Sequence, residues 1–178
     1  LGIAIAEKWN GATTVSSTVY IAHQVGIRVF STGGIGGVHR GAEYSFDISQ
    51  DLFALANTPM VVVSAGAKAI LDLPKTLEMM ETLGITVVGY KTNEFPAFYS
   101  QSSGCFGIHS ISSSRGIAAL FKENISARLS ASVLVANPVP VKDEIPAQEI
   151  ESIINASCKA ARTQKITGKE LTPFLLKD

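Results

Sequence analysis

The sequence is poor in the features that mark several common protein classes. It has two cysteines, Cys105 and Cys158, far apart and in no metal-ligand spacing. That excludes a disulfide scaffold or a zinc module and leaves two reduced thiols of a cytoplasmic-type protein as the expectation. No apolar run approaches the ~20 residues of a membrane span. The opening "LGIAIAEKWNG" lacks the basic segment and long apolar core of a secretory signal. Nor is there an excess of charge of either sign: 15 Lys and Arg balance 15 Asp and Glu. Nucleic acid and acidic membranes are therefore not expected as partners, whereas a small anionic ligand needs only a local patch. Trp9 is the one tryptophan, and it is expected to pack.

What is present is hydrophobic patterning and glycine. The chain has 178 residues, 46% of them hydrophobic, enough for one domain with a real core over 1–178. Helical and strand-like segments alternate. Val15, Val19 and Ala22 form a helical stripe closed by Gly26. "IRVF" (27–30) reads as a short strand. Residues 47–57 read as a helix, with Asp47 and Gln50 at capping-box spacing and Leu52, Leu55 and Ala56 facing inward. "MVVVSAG" (60–66) is a strand apolar on both faces, as in a buried parallel sheet. A helix over 74–84, a strand over 85–90, a helix near 115–123, a strand over 132–137 and a helix over 144–163 follow. The last is patterned through Ile150, Ile153, Ile154 and Ala160. Residues 101–116 read as a serine-rich loop or inserted turn. The pattern predicts an α/β fold, a mainly parallel sheet flanked by helices in α/β/α layers. The chain is expected to be the central part of a longer fold, incomplete at both ends. For that reason organellar targeting is left open.

Three segments could carry chemistry. "FSTGGIGGVHRG" (30–41) follows a strand and fits neither the dinucleotide fingerprint nor a P-loop. Its glycines could form a nest of N–H groups around an anion, helped by Thr32, His39 and Arg40, or could simply make a tight turn. Lys68 stands just past an apolar strand, with Ser64 the one other polar side chain from 59 to 71. It could be a solvated surface lysine. Held among Ala, Gly, Ile and Leu, it could instead be a neutral amine able to attack an electrophilic carbon. Asp47, Ser49 and Asp51 in "FDISQD" could cap a helix, or could ligate Mg²⁺ or Mn²⁺ and bind substrate. His23, on the first long helix, reads as a surface or packing residue.

Together these segments resemble a known family. "GATTV", "VFSTGGIGGVHRGAE", "FDISQDL", "SAGAKAILDLPKTLEMMETLGITVVGY", "EFPAFY", "VANPVP" and "TGKELTPFLL" are similar to the pseudouridine-5′-phosphate glycosidases, which include indigoidine synthase A-type proteins. The resemblance implies cleavage of the C–C bond between uracil and ribose, giving uracil and ribose 5-phosphate. It implies a lysine that joins C1′ covalently, matched by Lys68, and an iminium as electron sink. It implies a metal-binding aspartate, matched by Asp47, with Mn²⁺ and no organic cofactor. Val15, Thr32, His39, Ser49, Gln50 and Asp51 match substrate-binding positions, although Gln50 stands where a small residue is usual. A homotrimer is implied as well. The family's proton-donating glutamate, a phosphate-binding lysine and a C-terminal asparagine have no match within these 178 residues. Glu7 and Lys8 do not have the spacing for those roles. An inactive paralogue serving as a sugar-phosphate-binding or scaffold protein is the alternative expectation.

Overall fold

A computed structural model describes residues 1–164, 166 and 170–175. Five strands form one sheet: β1 (Val29–Ser31), β2 (Val61–Ser64), β3 (Thr86–Tyr90), β4 (His109–Ile111) and β5 (Val133–Ala136). The order is β1-β2-β5-β3-β4 and every pairing is parallel. β5 is inserted at the centre, and all four of its residues are buried. Its uninterrupted Val-Leu-Val-Ala run is what a strand covered on both faces requires. In register, Val29, Val61 and Val133 stand side by side across three strands.

Eight helices connect and cover the sheet among the described residues: α1 (Gly2–Ala6), α2 (Val15–Gln24), α3 (Ala42–Ser45), α4 (Gln50–Ala56), α5 (Leu73–Thr82), α6 (Ser114–Ser126), α7 (Ala147–Thr163) and α8 (Leu171–Leu175). One face packs Val62, Leu134 and Ala136 against apolar residues of α2, α4, α5, α7 and α8, including Val19, Leu52, Leu55, Met80 and Ile154. The other face packs Val61, Val88, Val133 and Val135 against Ile117, Leu120 and Phe121 of α6. This is the expected layered α/β fold. Its second layer is thin: at the β1 edge, Val29 is 60% exposed.

Several local expectations are corrected. The 47–57 helix begins at Gln50, and its cap is Ser49, whose hydroxyl accepts the Asp51 N–H; the Asp47–Gln50 capping box does not form. Residues 101–116 contain β4 and the start of α6. β4 was hidden because it is short and largely exposed, so its side chains carry no alternation. In α7 the buried stripe runs through Ile154, Ser157 and Ala161, while Ile153 is exposed. Trp9 does not pack and is 64% exposed. Residues 167–169 of "TGKELTPFLL" and Leu176 lie outside the described residues.

Candidate functional site

The site is built where the pairing of β1 with β2 continues past the strands. Thr32 donates its N–H to Val63 O, Ala65 to Gly33 O, Ile35 to Gly66 O and Lys68 to Ile35 O, at 3.0–3.1 Å. These bonds zip the glycine loop to the segment that carries Lys68. Both leave the carboxyl ends of neighbouring parallel strands, where ligand sites of open α/β sheets gather. The loop then runs between two further segments. On one side Gly37 O accepts the Ser49 N–H at 2.9 Å, and His39 donates its N–H to Asp47 O at 3.0 Å. On the other, Val38 O accepts the Asp72 N–H at 2.9 Å.

The loop glycines serve this crowding. Residues 34–39 are buried. An added methyl at Gly36 would overlap Ser49 Oγ and stand 2.9 Å from Asp51 Oδ2, and one at Gly37 would stand 2.5 Å from Thr76. One at Gly34 would overlap the ring of Phe98. Within the loop only Gly41 has a left-handed backbone, with φ of +84°. Phe98 is itself left-handed, at φ +68°, and donates its N–H to Ala65 O. It thereby lays its ring over Gly33 and Gly34.

Lys68, His39 and Asp47 are drawn together at one end of the loop. His39 is buried, and that burial pushes its imidazole below the ordinary value of 6.5. The Asp47 carboxylate opposes the shift and the Lys68 ammonium adds to it. His39 Nε2 lies 3.5 Å from Thr172 Oγ1 of α8. Lys68 and Asp47 are half-buried, and neither side chain has a hydrogen-bond or ion-pair partner among the described residues. A half-buried carboxylate of this kind suits a hard cation that keeps water and ligand oxygens. Among the described residues, no group of three His, Cys, Asp or Glu side chains forms a protein cage for a metal.

The other candidates stand nearby with different surroundings. Thr32 is half-buried, with its hydroxyl 3.5 Å from Gly34 O. Val15 is buried at the start of α2, and Gln50 is exposed. Ser49 caps α4. Asp51 is buried, and its carboxylate accepts the Ser16 N–H at 3.0 Å and the Gly36 N–H at 2.8 Å. It therefore ties the first turn of α2 to the glycine loop. A cleft of about 790 Å³ opens beside this cluster rather than over it. Arg40, Ala69 and Glu151 line it, but Lys68 does not. Sequence reasoning missed two contributors. Thr76 Oγ1 accepts the Val38 N–H at 2.9 Å. Glu151 holds Arg40 at 2.7 Å. Both lie far along the chain from the segments they hold, so no local signal announced them.

The family profile described as indigoidine synthase A like protein matches residues 1–178. The chain belongs to the indigoidine synthase A-like family. It is 54% identical over 97% of its length to the pseudouridine-5′-phosphate glycosidase of Methylobacterium nodulans, covering 51% of that protein. It is 48% identical to the enzyme of that name from Arabidopsis thaliana, again over 97% of this chain and covering 52% of the relative. Two solved family structures superpose closely. An indigoidine synthase A-like protein of Thermotoga maritima is 42% identical, with a TM-score of 0.88 over 99% of this chain and 57% of the other. The prealnumycin C-glycosynthase, solved in complex with ribulose 5-phosphate, is 36% identical, with a TM-score of 0.93 over 99% of this chain and 58% of the other. The chain thus spans a little over half the length of the relatives it matches.

Proposed function

We infer that this chain carries the sugar-phosphate chemistry of a pseudouridine-5′-phosphate glycosidase. The supporting observation is Lys68, an unpartnered amine among the described residues, zipped by backbone bonds beside the glycine loop. It does so in a chain about half identical to proteins bearing that name. In this reading the Lys68 amine forms a bond to C1′ as the ring oxygen leaves. The nitrogen lone pair then expels the base as its carbon takes a proton, leaving C1′=N. Water adds to that iminium, releasing ribose 5-phosphate and the free amine. Thr32 and His39 bind the phosphate. His39, held toward its neutral form, does so as a hydrogen-bond donor. Val15 and the Ser49–Gln50–Asp51 segment complete the substrate contacts, Asp51 by fixing the backbone beside them. Asp47 would hold Mn²⁺ or Mg²⁺, which supplies positive charge for ligand oxygens. A cytoplasmic homotrimer belongs to the same reading. The free thiols of Cys105 and Cys158 support the location, and exposed Tyr20, Ile21, Val25 and Phe53 support self-association.

Ribose 5-phosphate with borohydride tests the reading, since the reductant fixes the imine on Lys68 as a stable amine. Mass spectrometry is expected to place the added mass on Lys68, and Lys68→Ala to abolish both adduct and uracil release. A variant that keeps uracil release overturns the role of Lys68. A second reading, sugar transfer to a carbon acceptor, is favoured by the close match to a C-glycosynthase. Adduct formation without uracil release, followed by transfer of the sugar to an aromatic acceptor, would select it.

A further inference from the structure

Arg40 stands next to His39 and makes contacts that a solvated arginine would not. Its Nη1 and Nη2 donate to the two carboxylate oxygens of Glu151 at 2.7 and 2.8 Å, a bidentate fork. Nη2 also donates to Ala69 O at 3.3 Å, and Nη1 approaches Asn155 Oδ1 at 3.4 Å. Asn155 in turn donates to Glu151 Oε1 at 3.2 Å. Ala69 directly follows Lys68. The guanidinium therefore joins three separate pieces of chain: the end of the glycine loop, the turn that carries the candidate nucleophile, and α7.

Stability does not account for this arrangement. The Glu151 side chain is 52% exposed, and ion pairs so exposed contribute little. Geometry accounts for it better. A guanidinium presents its donors in a rigid plane, so one arginine can fix a carboxylate and a carbonyl at set angles, which a lysine cannot. The Lys68 N–H is tied to Ile35 O, and its carbonyl accepts the Leu71 N–H within the same turn. Beyond the turn, Leu71 pairs with His39, and Asp72 donates its N–H to Val38 O. Arg40 fixes the Ala69 carbonyl between these two anchors. It adjoins His39, so the lysine and the histidine are referred to one rigid group.

We propose that Arg40 is a positioning residue: its fork, anchored by Glu151, fixes the Ala69 carbonyl against the end of the glycine loop and so sets Lys68 relative to His39. The chemical consequence rests on the sugar-phosphate reading given above, while the geometric one does not. The clamp also forms part of the wall of the 790 Å³ cleft, which Lys68 does not line.

The test uses the full chain with Arg40→Lys, Arg40→Ala and Glu151→Gln. The rate of borohydride trapping of ribose 5-phosphate on Lys68 is measured with the melting temperature and with amide hydrogen exchange. Arg40→Lys is expected to melt close to the parent yet trap at least ~10-fold more slowly, since displacement of a reacting group by ~1 Å is that costly. Glu151→Gln is expected to slow trapping in the same direction, and the double variant Arg40→Lys with Glu151→Gln by less than the product of the two. Trapping by Arg40→Lys at the parent rate overturns the proposal. So does a loss in every variant that vanishes after correction for the folded fraction. If the parent itself forms no adduct, the sugar-phosphate reading fails and exchange decides the clamp. Arg40→Ala should then speed exchange at the Lys68 and His39 amides and leave β5 unchanged. Unchanged exchange at those two amides overturns it.

Discussion

Asp51 carries an unusual share of the local structure for one side chain. With the carboxylate removed, the Gly36 N–H loses its acceptor in a buried place and the Ser16 N–H in a half-buried one. Each such group left unpaired costs about 1–3 kcal/mol, so Asp51→Ala is expected to lower stability by about 2–5 kcal/mol. Denaturant melts at fixed pH measure this. Asp51→Asn keeps one acceptor oxygen and should lose less. An Asp51→Ala variant as stable as the parent would mean that the α2 start and the glycine loop do not depend on this link. The residue scale is also where the sequence was most legible. Lys68 stood out because nearly everything around it was apolar, and Asp51 because it sits at a helix start. Arg40 was legible as a charge at the end of the glycine loop but its clamp was not, because Glu151 lies 111 positions away and nothing local distinguishes a clamped arginine from a solvated one.

Between elements, the Arg40–Glu151 pair joins the glycine loop to α7, and its pH dependence follows from one carboxyl. The Arg40 guanidinium holds Glu151 below its ordinary value of 4.5, chiefly through their hydrogen bond. A carboxyl lowered on folding adds stability that is fully present above its unfolded value and is lost as pH falls through its folded value. The stability difference between the parent and Glu151→Gln should therefore be constant from neutrality down to about pH 5 and shrink below it. Given the exposure of Glu151 it should stay within about 1 kcal/mol even at its largest. A gap that widens on acidification would contradict the pairing. Element legibility followed burial. β2 and β5 were readable because strands covered on both faces are continuous apolar runs, and α2 because its buried positions repeat at helical spacing. β4 and α3 were not. A three-residue edge strand and a four-residue helix owe their shape to neighbouring backbone, and their side chains need follow no period.

For the whole molecule, the five-stranded sheet with one face deeply covered and the other served by α6 matches the layered fold expected from alternation alone. The strand order was not legible, since the placement of β5 between β2 and β3 depends on contacts distant in sequence. Oligomeric state belongs to this scale. Sedimentation equilibrium of the intact protein is expected to give three times the protomer mass, and a monomer at all concentrations would remove the trimer from the proposed function. The exposed Trp9 has a practical consequence for all such measurements. Tryptophan emission reports on the solvent around the indole, and this indole is wet while the chain is folded. Its spectrum will therefore change little when the β2–β5–β3 core melts, and will shift to the blue when something comes to cover residues 1–14. The chain's brightest intrinsic fluorophore is thus a poor thermometer of folding and a sensitive detector of company.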